Sequence, residues 1–271
     1  MNIGLTGSTG VLGTLLKKKF KLKKKNLFLD KIQNLNDVNN WIKLNNFDCI
    51  IHLAAIVPTE IVKKNKHKAN LVNFKGTMNL VNAINSFSSK KVWLFYSSTS
   101  HVYKPQKIFL SEKSKKKPMT YYGQTKLKSE NYILNNKKNI SPCIGRIFSF
   151  TSNKQKSNFI IPSIIKKLKS KNKKLFFENL NHERDFLPVE DIVSAIIKLL
   201  YRNYEGIINI CSNKSTNLTD ILFALNDKYK KEIYLKENKN KTYLLGSNKK
   251  LLKLGWKLNN YNYLNYLYKN F

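Results

Sequence analysis

Near its start the chain reads Thr6-Gly7-Ser8-Thr9-Gly10-Val11-Leu12-Gly13. This run follows a short apolar segment of strand character at 2–6 and precedes apolar residues at helical spacing. In a strand–turn–helix unit of this kind Gly7 permits the tight turn, Gly10 lets a pyrophosphate approach the backbone, and Gly13 lets the helix pack on the strand. The N–H groups at the helix N-terminus then attract phosphates. The run predicts a dinucleotide site, with an ordinary βα loop as the alternative.

The first 150 residues alternate apolar runs of strand length with helical patterns. The predicted strands are 2–6, 26–30, 48–53, 91–97 and 141–148. Strands that alternate with helices form parallel βαβ units, so we expect an α/β fold with a doubly wound parallel sheet of the Rossmann type. Residues 1–148 are the predicted dinucleotide-binding domain and residues 149–271 the predicted, smaller substrate-binding region. Residues 187–211, a predicted helix and strand, should return to pack on the first domain.

A carboxylate is expected at the end of the second strand, where it binds the ribose hydroxyls of the adenosine half. Asp30 has this place, 17 residues after Gly13. Lys31 beside it favours a 2′-phosphate instead. The sequence therefore predicts NAD, with NADP as the open alternative.

Tyr122 and Lys126 are four residues apart and share one face if their segment is helical. An ammonium beside a phenol favours the phenolate and lowers its pKa, which would suit Tyr122 to proton exchange with a sugar hydroxyl or carbonyl. The run 97–100, all Ser and Thr, follows a predicted strand at the sheet edge where ligands bind. Thr99 is placed there to donate a hydrogen bond to the reacting oxygen. Because the chain has 14 Tyr and 47 Lys, chance pairs at this spacing are also expected.

The chain has 50 Lys and Arg against 16 Asp and Glu, a formal charge of +34. Such a charge suggests a nucleic acid or an anionic membrane as partner. Yet the only arginines are Arg146, Arg184 and Arg202, whereas proteins that read bases and phosphates favour Arg. Asn is similarly abundant, with 36 residues, and both Lys and Asn have A-rich codons. We interpret the charge as composition drift on a solvated surface, and we expect no nucleic-acid partner.

The N-terminus and the cysteines predict a cytoplasmic protein. The chain begins with a strand-like run and shows no signal-peptide pattern. Its longest near-continuous apolar stretch, 49–57, is about half of a membrane span. Cys49, Cys143 and Cys211 lack the spacing of a disulfide framework or a metal site. We expect three buried thiols, no metal and no membrane partner.

Further motifs follow the glycine run along the chain. They are His52-Leu-Ala-Ala55, Asn73 with Gly76-Thr77, the Ser/Thr run ending in Val102-Tyr103, Tyr122-Gly-Gln-Thr-Lys126, Arg184-Asp-Phe-Leu-Pro-Val-Glu-Asp191 and Lys250-Leu-Leu-Lys-Leu-Gly-Trp256. In this order they resemble the extended short-chain dehydrogenase/reductases of the NAD-dependent epimerase/dehydratase family. The resemblance covers nearly the whole chain.

The resemblance implies site residues and a substrate class. The implied dinucleotide contacts are Gly7, Thr9, Gly10, Val11, Leu12, Asp30, Leu53, Ala54, Ala55, Asn73, Tyr122 and Lys126. The implied catalytic residues are Tyr122 as general acid/base, Lys126 as the group that lowers its pKa and binds the nicotinamide ribose, and Thr99 as the group that polarises the reacting C–O bond. The implied substrate is a sugar linked to a nucleoside diphosphate, held by Ser98, Thr99, Ser149 and Arg184. Arg184 would bind the diphosphate; an ion pair with Asp185 or Asp191 is the structural alternative.

Three departures from the family pattern refine this expectation. Ser100 and His101 follow Thr99 where 4,6-dehydratases carry Asp-Glu, so 4,6-dehydration is not expected. Ser149 stands where the family commonly has Asn, which alters an expected sugar contact. The short stretch 31–47 resembles nucleotide-sugar 4-keto reductases. His67, His101 and His182 show no partner spacing and are predicted to lie at the surface.

Together these observations predict an NAD(P)-dependent oxidoreductase that acts at the 4-position of a nucleotide-linked sugar, with a preference for a 4-keto reductase. A 4-epimerase, an isomerase that retains NAD, is the close alternative. A non-catalytic dinucleotide-sensing or RNA-binding relative is the third hypothesis. The resemblance also implies a homodimer packed through residues 68–86 and 122–135.

Overall fold

The computed structural model describes residues 1–57, 59–236, 241–259 and 262–271. Its strands are β1 (Ile3–Thr6), β2 (Leu27–Phe28), β3 (Cys49–His52), β4 (Val92–Thr99), β5 (Phe109–Leu110), β6 (Ile140–Ile147), β7 (Ser149–Thr151), β8 (Lys174–Glu178), β9 (Glu183–Arg184), β10 (Phe186–Pro188), β11 (Gly206–Ile210), β12 (Thr216–Asn217), β13 (Glu232–Lys236) and β14 (Tyr243–Gly246).

The helices of the same residues are α1 (Val11–Lys19), α2 (Leu35–Leu44), α3 (Thr59–Lys64), α4 (Lys66–Asn70), α5 (Gly76–Phe87), α6 (Tyr121–Asn135), α7 (Ile160–Leu168), α8 (Val189–Tyr201), α9 (Leu218–Asn226), α10 (Lys249–Lys253) and α11 (Tyr263–Asn270). A π-helical turn, Leu71–Lys75, joins α4 to α5, and 3₁₀ turns cover Lys24–Asn26 and Ser100–Val102.

Six parallel strands form the central sheet in the order β11-β6-β4-β3-β1-β2. The chain winds outward from β1 in both directions, which is the predicted doubly wound arrangement. The predicted strand at 26–30 is shorter than expected, because only Leu27 and Phe28 pair with β1. The last strand of the sheet, β11, pairs with β6 although it follows β7 to β10 in the chain.

Side chains alternate between the two faces of the sheet and are covered by helices on both sides. In β4, Trp93 and Phe95 pack in a cluster with residues of α1 and α8, whereas Leu94 and Tyr96 pack with residues of α2, α5 and α6. The strands are buried on both faces, as expected of a parallel sheet between helical layers. All six therefore end at one edge with their carboxyl ends together.

A smaller core lies outside the sheet. It is built from α7, α9, α11 and the paired strands β8 and β13, with Ile164, Leu168, Phe177 and Leu222 among its buried side chains. The short strands β9, β12, β14 and β5 form a separate ladder. This ladder carries Arg184, the predicted diphosphate ligand.

No helix found in residues 1–57, 59–236, 241–259 and 262–271 combines the length and the apolar character needed to cross a membrane.

Candidate active site

The glycine turn between β1 and α1 is shaped as a cradle. Gly7 has φ +72°, and a Cβ there would lie 2.7 Å from the backbone N of Ala54. A Cβ at Gly13 would lie 2.2 Å from the carbonyl oxygen of Gly7, so both positions accept only glycine. Gly10 differs, because a Cβ there would meet only the Gly7 carbonyl oxygen, at 3.4 Å. No side chain caps the helix that begins at Val11, so its first N–H groups can bind a pyrophosphate.

A hydrogen-bond chain behind the cradle ties it to the next strand. The N–H of Ala54 donates to Thr6 Oγ1 (3.2 Å), and His52 Nδ1 lies 2.7 Å from the same oxygen. On the other side of the ring, Nε2 lies 3.0 Å from Thr77 Oγ1, whose proton goes to the Asn73 carbonyl oxygen (2.8 Å). Because Thr77 has no second proton to give, Nε2 of His52 is the donor and Nδ1 accepts from Thr6.

The His52 ring is therefore a neutral imidazole with a defined tautomer. Burial, followed by the charge of Lys126, lowers its pKa to about 3. An imidazolium would force both ring nitrogens to donate and would leave the Thr6 hydroxyl without its acceptor. His52 connects the carboxyl ends of β1 and β3 to Thr77 at the start of α5. His52 is part of the motif His52-Leu-Ala-Ala55, and the sequence alone assigned it no role.

Asn73, a predicted dinucleotide ligand, is engaged by the protein itself. Its Oδ1 accepts from the N–H of Ile56 (2.8 Å), and its Nδ2 donates to the Ile56 carbonyl oxygen (3.1 Å) and to Thr125 Oγ1 (3.3 Å). Both amide hydrogens are used, and the side chain is buried. Asn73 therefore holds the segment after β3 in place with both of its amide hydrogens, and its contact with a dinucleotide stays a prediction.

A cavity of about 240 Å³ lies beside the glycine turn. Its lining includes Gly7, Thr9, Asp30, Lys31 and Ala54. The structure thus brings the predicted pyrophosphate and ribose ligands together. The side chains of Asp30 and Lys31 are both exposed, so both remain available to a ribose hydroxyl or a 2′-phosphate.

Four further predicted dinucleotide ligands lie at the start of α1 and just after β3, outside the lining of this cavity. Val11 and Leu12 form the first turn of α1, and the Leu12 side chain is buried in the core, so it offers only its backbone. Leu53 and Ala55 follow β3 and are half-buried.

Helix α6 carries Tyr122 and Lys126 against the end of β4. The helix begins after Thr120, whose Oγ1 accepts from the N–H of Gly123 (3.1 Å). Gly123 allows a close approach, because a Cβ there would lie 2.3 Å from the carbonyl oxygen of His101. Both Tyr122 and Lys126 are buried, and they share one helix face as predicted.

Lys126 is held by the strand it packs on. Its Nζ donates to the carbonyl oxygen of Ser97 (2.6 Å) and lies 4.6 Å from the ring centroid of Tyr96. The residue is only 2% exposed. Burial lowers the pKa of Lys126 to about 7, and the charge of Glu130 opposes that shift.

Tyr122 is a protonated phenol. Burial raises its pKa above the ordinary value, and contact with the Thr99 hydroxyl opposes this shift. The Tyr–Lys spacing predicts the opposite direction, with Lys126 lowering the pKa of the phenol. That expectation is wrong for this structure, because the phenol is fully buried and the cost of desolvating its phenolate outweighs the hydrogen bond from Thr99.

His101 is a site residue that the sequence placed at the surface. Its ring is edge-on to that of Tyr122, with centroids 5.9 Å apart and planes at 71°. Burial, followed by the charge of Arg184, lowers the pKa of His101 to about 4. The imidazole is therefore neutral and lies among the candidate catalytic groups. Its position two residues after Thr99, at the edge where ligands bind, was the available signal.

The charge of Arg184 acts on His101, which lies among the candidate catalytic residues. Its Nη1 donates to the carbonyl oxygens of Glu183 (2.8 Å) and Thr242 (2.9 Å), and its Nη2 donates to Thr242 Oγ1 (2.9 Å). Burial lowers the pKa of Arg184 to about 10, against the charge of Glu183, so the guanidinium stays charged near neutral pH. Asp185, considered as its ion-pair partner, turns the other way and accepts from the N–H groups of Ser212 (2.6 Å) and Gly246 (3.3 Å).

The two predicted serine contacts differ. The Ser98 hydroxyl donates to Glu130 Oε1 and is only 2% exposed. It faces the interior beneath α6, because alternation along β4 turns it away from Thr99, and its contact with a substrate stays a prediction. Ser149 begins β7 opposite Phe186 and is half-buried.

The chain matches one family model and a curated relative. Residues 5–257 match the family described as GDP-mannose 4,6 dehydratase. The GDP-6-deoxy-D-talose 4-dehydrogenase of Aggregatibacter actinomycetemcomitans is 27% identical over 247 residues, which span 88% of this chain and 83% of that protein.

Two solved structures have the same fold. RMD from Pseudomonas aeruginosa complexed with NADPH has a TM-score of 0.87 at 20% identity and covers 99% of this chain and 97% of its own. The UDP-glucose 4-epimerase of Thermus thermophilus in complex with NAD has a TM-score of 0.85 at 17% identity, and the match covers 100% of this chain and 97% of the epimerase chain. Both likenesses confirm the predicted doubly wound fold.

Proposed function

The chain belongs to the GDP-mannose 4,6 dehydratase family, and we propose that it is an NAD(P)-dependent reductase of a 4-keto sugar linked to a nucleoside diphosphate. Membership confirms the predicted resemblance to NAD-dependent epimerases and dehydratases. One observation carries the proposal: a buried Tyr122, paired with Lys126 on one face of α6, packs against Thr99 at the carboxyl edge of a parallel sheet with a glycine cradle.

A dinucleotide fits the cradle through the residues already described. Gly7, Gly10 and the first turn of α1 would hold the pyrophosphate, and Asp30 the adenosine ribose. When bound, the nicotinamide supplies or accepts the hydride at the sugar C4. Lys126, at the base of α6, would hold the nicotinamide ribose. NAD is the proposed cofactor and NADP the alternative, which Lys31 supports.

The protonation state of Tyr122 supports reduction. A ketone that gains hydride at C4 also needs a proton on its oxygen, and the protonated phenol of Tyr122 is the donor within the site. Thr99 would polarise the same oxygen by a hydrogen bond. A 4-epimerase, the second candidate, begins instead by removing the hydroxyl proton, for which the phenol must first ionise.

The sugar nucleotide proposed is a GDP-linked 4-keto-6-deoxyhexose. The relative from Aggregatibacter is named for the reverse chemistry, oxidation of GDP-6-deoxy-D-talose at position 4. Arg184 is charged and would bind the diphosphate through its planar fork. We do not propose dehydration, because Ser100 and His101 stand where the eliminating Asp-Glu pair would be needed.

The oligomeric state and the cellular compartment are proposed from the resemblance to the family. We propose a homodimer that packs through residues 68–86 and 122–135 and acts in the cytoplasm on small molecules, without nucleic acid or membrane. The charge of +34 is the sole feature that favours an RNA-binding relative, and the assembled Thr99, Tyr122 and Lys126 favour an enzyme. Light scattering of the purified protein tests the dimer.

The test of the reaction is an assay with the GDP-linked 4-keto-6-deoxyhexose and reduced NAD or NADP. We expect stoichiometric loss of the reduced-nicotinamide absorbance. Tyr122→Phe should abolish it, and Tyr121→Phe, its matched neighbour outside the shared face, should not. An epimerase would interconvert GDP- or UDP-hexoses with tightly held NAD and no net consumption, and that result would replace the reductase proposal.

A further inference from the structure

A fully buried ion pair includes Glu130, which lies one helical turn after the candidate catalytic residue Lys126 on α6. Arg146 donates from Nη2 to Glu130 Oε2 (2.6 Å) and from Nε to Oε1 (3.0 Å). The two side chains are 0% and 1% exposed. Arg146 is fixed from its other side, because its Nη1 donates to the phenol oxygen of Tyr103 (2.9 Å). Such a pair is costly to desolvate and is a weak device for stability alone.

Glu130 lies on the same face of α6 as the candidate catalytic residues Tyr122 and Lys126. Tyr122, Lys126 and Glu130 are spaced by four residues on α6 and lie on one side of it. Adjacent residues of β4 bind two of them: the Ser97 carbonyl oxygen accepts from Lys126 Nζ, and the Ser98 hydroxyl donates to Glu130. Lys126 and Glu130 are therefore anchored to one stretch of strand.

The ionisable groups around Lys126 come from four elements. On α6 they are Tyr122 and Glu130; from β4 comes Tyr96, from β3 His52, and from β6 Arg146 behind Glu130. His52 is neutral, and both phenols are protonated, since burial raises the pKa of each. Among these groups Glu130 is the one that carries a negative charge toward Lys126.

We propose that Glu130 is a positioning residue, whose carboxylate, held by Arg146 and Ser98, keeps the Lys126 amine in its charged ammonium form. The catalytic importance of this role rests on the proposed function. The effect of Glu130 on the charge of Lys126 does not, because it involves only groups of the protein. The ammonium has three N–H donors, of which one goes to the Ser97 carbonyl oxygen and two remain for the ribose of a nicotinamide nucleotide, whereas the neutral amine has one donor fewer and no charge. The Glu130 carboxylate thus offsets part of the cost of burying the Lys126 charge.

The test is a lysine titration that needs no substrate. Protein labelled with ¹³C at lysine Cε is titrated by NMR, and Lys126→Met assigns the signal that moves near neutral pH rather than at the pH of surface lysines. We expect Glu130→Gln to lower that midpoint by about one unit or more. Glu112→Gln is the matched control, because its carboxylate accepts from the N–H of Asn209 (2.9 Å) on the far side of Arg146; the midpoint should stay in place.

A double variant separates electrostatics from folding. Glu130→Gln leaves a buried guanidinium unpaired, so Glu130→Gln with Arg146→Met is titrated as well. A lowered midpoint in a folded double variant supports the proposal. An unchanged midpoint in the folded variants overturns it, whatever the enzyme's substrate proves to be. Inactivity on every sugar nucleotide with a shifted midpoint would instead overturn the proposed function and leave the role of Glu130 standing.

Discussion

The ring of His101 lies edge-on to the ring of Tyr122, with centroids 5.9 Å apart. The neutral imidazole therefore shares the site with the proposed proton donor and with the charge of Arg184. A group in this place can donate to or accept from a sugar hydroxyl near the reacting carbon. We therefore expect His101 to offer the sugar a polar contact that the sequence pattern did not assign.

We predict that His101→Ala lowers kcat/KM about 5- to 15-fold, the effect of losing one hydrogen bond of about 1–1.5 kcal/mol. His101→Gln should retain more activity, because an amide still donates and accepts. Steady-state kinetics of both variants, with the melting temperature as a check on folding, measure this. Equal losses in both variants would show that the ring acts by shape rather than by hydrogen bonding.

The glycine cradle gives a pair of opposite predictions. Gly13→Ala places a Cβ 2.2 Å from the Gly7 carbonyl oxygen, so the turn must shift and the protein should lose about 1–3 kcal/mol of stability. Gly10→Ala meets only one atom at 3.4 Å and should keep its stability.

We expect the methyl group of Gly10→Ala to occupy the space through which a pyrophosphate would approach the backbone. Calorimetry should therefore show at least about tenfold weaker NAD(P) binding for Gly10→Ala, a loss of about 1.4 kcal/mol. Unchanged affinity in that variant would contradict the assignment of this turn to the pyrophosphate.

The hydrogen-bond chain through His52 predicts a stability effect remote from the chemistry. Thr77→Val removes the acceptor of Nε2 and the donor to Asn73, so unfolding should cost about 1–3 kcal/mol less. Thr14→Val is the control, because its hydroxyl makes a single 3.4 Å contact with the Ser8 carbonyl oxygen. The unfolding midpoints of both variants are measured in denaturant. Similar midpoints would contradict a stabilising role of the hydrogen bonds through His52.

The buried pair predicts a larger loss. Arg146→Met leaves the Glu130 carboxylate buried without its counter-ion, which should destabilise the fold by about 3–5 kcal/mol. Arg202→Met, at an exposed position, should change stability by less than about 0.5 kcal/mol. Thermal or urea unfolding provides both values, and similar losses in the two variants would contradict the burial of the pair.

The pH profile follows from Lys126. Its pKa is lowered to about 7, so the ammonium predominates below pH 7 and is lost as the pH rises above it. Tyr122, whose pKa is raised, stays protonated over this range. The kcat/KM for ketone reduction, which reports the free enzyme, should therefore fall above about pH 7. A profile that is flat to pH 9 would contradict a lysine that ionises in the site.

Local patterns were enough to predict the sheet, the glycine cradle and the Tyr122–Lys126 face, because each depends on residues close in sequence. The orientation of Ser98 was also readable, since alternation along a strand turns it away from Thr99. His101 was missed because its position depends on how closely α6 approaches the 3₁₀ turn Ser100–Val102 at Gly123, and such an approach depends on tertiary packing. The direction of the Tyr122 shift was missed for the same reason, since residue spacing says nothing about desolvation.

The fate of a labelled hydride tests the proposed reduction at C4 directly. The purified protein is given a GDP-linked 4-keto-6-deoxyhexose and a reduced nicotinamide cofactor carrying deuterium at its transferable position, and the sugar is analysed by NMR. We expect one deuterium at C4 of a 4-hydroxy product with the native protein and none with Tyr122→Phe. A product without deuterium at C4, or full transfer by Tyr122→Phe, would contradict this expectation.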